Sequence, residues 1–169
     1  MADSKRRKIV DRVIARLESI LTDNDYETDV GKNVDYWRSG PYSEEEMAEK
    51  PEGALGVRDI DELKTIEGDQ QKVAKGLGGK EKFQRDLHIQ IEIGLAGTSS
   101  PTEVHKIIAD IETAIGKDVR WKDEDGKALA VGTRPRLDRS LVDQQTLKTT
   151  GVIYEFFIRY ITDSFNPYQ

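Results

Sequence analysis

Residues 87–93 read Leu87-His88-Ile89-Gln90-Ile91-Glu92-Ile93, and this stretch decides the fold class. Apolar and polar side chains alternate without a break, the period-two signature of a strand with one face in a core. A helix follows. Ser100-Pro101-Thr102-Glu103 supplies a cap, a proline for the first helical position and a glutamate to complete a capping box. Val104, Ile107, Ile108, Ile111, Ala114 and Ile115 then recur at helical spacing. A second strand spans Val152 to Ile161, with Tyr154, Phe156, Phe157, Ile158 and Tyr160.

Working outward, residues 5–22 form another amphipathic helix. Its stripe is Ile9, Val10, Val13, Ile14, Leu17, Ile20 and Leu21, with Asp3 or Ser4 as cap. Tyr26 to Val34 alternates weakly and reads as a short edge strand. Residues 38–52 read as loop, and Ala54 to Val57 as a short strand. Residues 67–82, rich in glycine and lysine and nearly devoid of apolar side chains, predict a mobile loop. Val119-Arg120-Trp121 reads as a short strand, Asp123-Glu124-Asp125-Gly126 as a turn, Ala128 to Val131 as an apolar patch, and Arg134 to Val142 as a polar edge. The expected fold is a single α+β domain over residues 1–169. It has a small mixed or antiparallel sheet, two helices packed on one face, and long loops.

Composition narrows the function classes. The 169 residues are 36% hydrophobic and 34% charged, which predicts a thin core. Basic and acidic residues balance over 1–38, eight against eight, whereas 39–86 carry eight basic and twelve acidic; the net charge is −6. A general nucleic-acid binder needs surplus positive charge, and this chain lacks it. There is no cysteine, which excludes disulfides, thiolate catalysis and zinc–thiolate centres. No run approaches the roughly 18 apolar residues of a membrane helix, and the first residues show no apolar signal stretch. The expectation is a protein made in the cytoplasm with no membrane partner.

His88, Gln90 and Glu92 share one face of their strand, so a histidine and a carboxylate stand ready for acid–base or metal chemistry. The plainer reading is the polar face of an amphipathic strand, and it is preferred. His105, the other histidine, reads as a surface residue of the second helix. Gly76-Leu77-Gly78-Gly79-Lys80-Glu81 fails as a phosphate loop, because Ala74 and Glu81 stand where glycine and Ser or Thr are needed. The serines, Ser99, Ser100, Ser140 and Ser164 among them, sit in no nucleophile elbow. Asp123-Glu124-Asp125-Gly126 lacks the closing glutamate of a calcium loop. Lys5, Arg6, Arg7 and Lys8 form a basic helix start. No catalytic, cofactor or metal residue is assigned. Lys72, Lys75, Lys80 and Lys82 in the long loop, with Arg134, Arg136 and Arg139, are candidates for a protein interface.

Taken whole, the chain resembles the tail terminator (tail completion) proteins of tailed bacteriophages. The resemblance runs through the helix Ile9–Leu21 with Tyr26-Glu27-Thr28-Asp29-Val30-Gly31, then Gly53-Ala54-Leu55-Gly56-Val57 and the strand Leu87–Ile93. It continues in Ile111-Glu112-Thr113-Ala114-Ile115 and Asp118-Val119-Arg120-Trp121, and closes with Arg159-Tyr160-Ile161-Thr162 and Asn166-Pro167-Tyr168. It lies in the order of segments, and the loop at 67–82 departs from compact members. The resemblance implies a structural virion protein of the tail neck. It would form a hexameric homo-oligomeric ring that caps the tail tube protein, ends polymerisation and offers a surface to the head–tail connector protein. DNA would pass through without sequence-specific binding, and no cofactor is implied. The alternatives are a head completion protein, or a small metal-dependent enzyme using His88 and Glu92.

Overall fold

The computed structural model describes residues 4–62, 82–96, 101–135 and 149–163. Helix α1, Lys5–Glu18, starts where the Ser4 hydroxyl accepts the Arg7 backbone N–H at 3.2 Å. It buries Ile9, Val10, Val13 and Leu17. After it come short 3₁₀ turns, strand β1 (Val34–Tyr36), helix α2 (Glu44–Ala48) and strand β2 (Ala54–Glu62). Strand β3 (Lys82–Ala96), helix α3 (Pro101–Gly116), strand β4 (Gly132–Pro135) and strand β5 (Thr149–Asp163) complete the order. The five strands form one sheet in the order β1-β2-β3-β5-β4. β1 runs parallel to β2, and every other neighbouring pair is antiparallel.

The alternation in β3 sorts the sheet's faces as expected. Leu87, Ile89, Ile91, Ile93 and Leu95 are buried in one cluster with the apolar stripes of α1 and α3. Their cross-strand partners contribute Leu55 and Val57 from β2, and Val152, Tyr154, Phe156 and Ile158 from β5. Each fully buried aliphatic side chain contributes about 1.5–3 kcal/mol. The fold is α+β, with its two long helices on this face.

Helix α1 ends at Glu18, short of the expected residue 22, and β3 and β5 run past their expected ends; beyond these bounds, local expectations differ in four places. Tyr26 to Val34 is not a strand. Asp110 of α3 accepts the backbone N–H groups of Glu27 (3.1 Å) and Thr28 (2.8 Å), so those donors are lost to any sheet ladder. Gly31 then presses against the end of α1: a Cβ there would stand 2.6 Å from the Leu17 carbonyl oxygen. Strand pairing begins only at Val34. In the expected loop of residues 38–52, Ser43 and Glu46 form a reciprocal capping box that starts α2. The short strand expected at Ala54 to Val57 runs on to Glu62.

The fourth difference is Val119-Arg120-Trp121. The Asp118 carboxylate accepts the N–H groups of Arg120 and Lys122, which folds the segment into a turn. Trp121 adopts a left-handed backbone (φ 51°) and turns its indole into the core. Its Nε1 donates to Thr133 Oγ1 at 2.7 Å, and Arg16 lies over its ring. Asp123–Gly126 is a turn, as expected, closed by Gly126 N–H to the Asp123 carbonyl oxygen. Gly132–Pro135 forms the β4 edge, while residues 136–142 of the expected edge lie outside the described residues.

Candidate functional site

The second face of the sheet carries the chemistry-bearing side chains. His88, Gln90 and Glu92 do share it, but His88 and Glu92 are four residues apart, about 13 Å along an extended strand. A direct pair between them is out of reach. β5 supplies a nearer carboxylate: Glu155 sits across from Gln90 and accepts its Nε2 at 2.6 Å. His88 Nε2 lies 3.6 Å from Glu155 Oε1, and the imidazole stacks on Phe157 with ring centres 4.7 Å apart. His88 is 6% exposed, and its Nε2 is buried without a hydrogen-bond partner. This is an enclosed residue rather than a solvated one. His105, in contrast, is exposed on α3 as expected.

One register step away, Asp86 is buried to 1% exposure. Arg159, its direct cross-strand partner, donates through Nε at 2.9 Å and Nη2 at 3.1 Å. Arg134 of β4 reaches the same carboxylate at 3.4 Å and lies over the Phe157 ring. The interface candidate Arg134 therefore spends part of its charge inside the chain. Lys82 opens β3 and its backbone pairs with Asp163. Lys72, Lys75, Lys80, Arg136 and Arg139 lie outside the described residues, as do residues 67–81 of the expected mobile loop and Ser100 of the expected cap.

Towards Gly94 the same face is closed by the segment after β1. Tyr42 and Met47 cover it, and Tyr42 donates to Asp35 Oδ2 at 3.1 Å. Burial, together with the nearby Asp35 charge, pushes the Tyr42 phenol well above its ordinary value. The Arg38 guanidinium stacks 3.7 Å from the Tyr42 ring centre and joins Glu46 at 3.0 Å.

A second constellation, which the sequence reading missed, lies beside β1 on the helix-covered face. Asp59 of β2 is 2% exposed and accepts four contacts from three side chains. Arg6 donates through Nε at 2.8 Å and Nη2 at 2.6 Å, while Tyr36 Oη and Trp37 Nε1 each donate at 2.6 Å. Burial raises the Asp59 carboxyl pKa, but the hydrogen bonds from Tyr36, Trp37 and Arg6 outweigh it, so Asp59 titrates below its ordinary range. Trp37 is held at φ 54°, a conformation that costs a non-glycine residue about 1–2 kcal/mol. The residue is nonetheless 53% exposed. Ser4, Arg6, Arg7, Val10, Tyr36, Trp37 and Asp59 line a shallow cleft of about 240 Å³. The sequence signal was weak: an aromatic pair at 36–37 and an aspartate in a strand.

Among the described residues, no group of three or more His, Asp or Glu side chains is placed to hold a metal ion, and no helix is long and apolar enough to cross a membrane. No protein-family model matches the chain, and no curated protein matches it.

Proposed function

We propose that this protein is a structural subunit of a bacteriophage tail, a terminator that forms a ring on the head-proximal end of the tail tube. The observation that carries this reading is the order of elements. The segments on which the resemblance rests include α1, strands β2, β3 and β5, and α3, and these assemble around one sheet. Work through surfaces fits a molecule whose strongest polar constellations, around Asp59 and Asp86, are spent on internal hydrogen bonds. In this reading the ring ends tube growth and offers its other side to the connector. DNA passes a wall that must not hold phosphates, consistent with a chain of net charge −6.

The test is imaging of the protein mixed with purified tail tubes. A ring at one end of each tube, with tube length fixed after addition, is the expected result. Uniform decoration along the tube, or absence of binding, rejects the proposal.

A further inference from the structure

β1 and β2 are parallel neighbours, so the chain between them must cross the sheet and return. Residues 37–53 make that crossover, over the second face. The crossover is pinned at both ends. The Trp37 N–H donates to the Val57 carbonyl oxygen at 2.9 Å, and the Leu55 N–H to that of Asn33 at 2.8 Å. Both ends also carry a positive φ, 54° at Trp37 and 89° at Gly53. In between, the crossover rests on the sheet where the sheet has no side chains. A Cβ on Gly94 would stand 2.5 Å from Tyr42 Cδ2, and one on Gly56 would stand 3.3 Å from Arg38 Cδ.

Its apolar attachment is small. Tyr42 and Met47 bury with Ala54 in a cluster separate from the main core. Helix α2, of five residues, is too short to persist without that support. Charge supplies the rest of the fastening. Arg38 joins Glu46 at 3.0 Å and Asp35 at 3.6 Å, and Lys50 joins Asp35 at 3.2 Å. The two cations are shielded, with side chains 14% and 24% exposed, whereas Asp35 and Glu46 stand 40% and 44% in water. Pairs with one partner so exposed are weak and are screened by salt. From this division we propose that residues 38–52 form an ionically latched strap, which lifts from the sheet as a unit while the main core stays folded. Trp37 and Gly53, at the ends, are its hinges. Lifting uncovers the floor made by Gly56 and Gly94, so the latch sets access to that part of the second face.

Native-state hydrogen exchange of the full chain, read residue by residue by NMR, tests the strap. Met47, Lys50 and Gly53 donate their N–H groups inside it, to the carbonyl oxygens of Ser43, Met47 and Lys50. These amides should exchange roughly a hundredfold faster than those of Ile89 and Ile91 in β3, and their rates should barely respond to low urea. Raising NaCl from about 0.02 M to 0.5 M should speed the three strap amides roughly threefold and leave the β3 amides unchanged. Arg38→Gln, which removes both bonds of the hub, should speed them roughly tenfold at low salt. Glu46→Gln is the milder variant, because glutamine keeps the capping box and loses only the charge. It should act in the same direction and abolish most of the salt response. Strap and β3 amides that exchange at one rate with one urea slope would overturn the proposal. So would salt or either variant moving both sets together, or strap rates that neither salt nor Glu46→Gln alters.

Discussion

The two faces of β3 are built from the same seven-residue alternation yet obey different physics. The odd positions, Leu87 to Leu95, meet α1 and α3 in a continuous apolar layer, where shape and volume decide the energy. The even positions, Asp86, His88, Gln90 and Glu92, would be solvated in a simple amphipathic strand. Instead Asp86 and His88 are nearly as buried as the isoleucines. Asp86 survives burial because β5 and β4 bring Arg159 and Arg134 to it, and half-buried Gln90 meets Glu155, whereas His88 stacks on Phe157 and keeps a buried Nε2 without a hydrogen-bond partner. Alternation therefore identifies which side the apolar core takes. It does not identify which side water takes.

The largest effect expected belongs to the apolar face. Ile91→Ala should cost about 2–5 kcal/mol, read as a shift of the urea midpoint at constant slope. Gln90→Ala, its neighbour on the other face, loses one side-chain hydrogen bond and should cost about 1 kcal/mol. Equal losses would break the distinction between the faces.

Next comes Asp86→Ala, which leaves Arg159 and Arg134 without their carboxylate. Both arginines are more than a third exposed, so water recovers part of the loss. About 2 kcal/mol is expected, below the 3–5 typical of a fully buried pair. A variant as stable as the wild type would mean that this face is wetter than the burial of Asp86 implies.

Gly94→Ala probes how closely Tyr42 and Met47 cover the polar face. The added Cβ would fall 2.5 Å from Tyr42 Cδ2 and 3.1 Å from Met47 Sδ. Displacing them should cost about 1–2 kcal/mol, whereas alanine in an open strand position stabilises relative to glycine. A gain in thermal stability would show the cover to be loose.

Asp59 links stability to pH. Its folded-state pKa is depressed, so its contribution is fully present above the ordinary carboxylate value near 4 and is lost as pH falls through the folded value. Acid denaturation curves of wild type should steepen below about pH 4, and Asp59→Asn should flatten that limb while lowering stability at pH 7. An unchanged acid limb in the variant would move the pH sensitivity elsewhere.

The smallest effect is expected from His88→Ala on chemistry. Zinc content and hydrolytic rate of the purified protein should match between variant and wild type, at background in both. A stoichiometric metal lost in the variant would favour the enzyme alternative over a structural subunit.

Strand β3, the stripes of α1 and α3 and the final strand β5 were legible because each is a repeating pattern within a few residues of itself, while the cap of α1 stood open between Asp3 and Ser4 until the structure set it on Ser4. Helix α2 was legible in principle: Ser43-x-x-Glu46 is a capping box, obscured by three consecutive glutamates that read as loop. The first edge strand was misplaced because Asp110, more than eighty residues away, takes the N–H groups of Glu27 and Thr28. Trp121 was read as strand because a carboxylate that captures two backbone donors leaves no periodic trace.

By itself, then, the sequence determined the long elements, α1, α3, β3 and β5, and the face of each that turns inward, since periodicity is written by neighbours and enforced by water. Only the tertiary structure decided which partners the polar groups receive. Gln90 meets Glu155 sixty-five residues on, and Arg6 meets Asp59 at fifty-three. Such pairs depend on strand order and register, which no local pattern encodes.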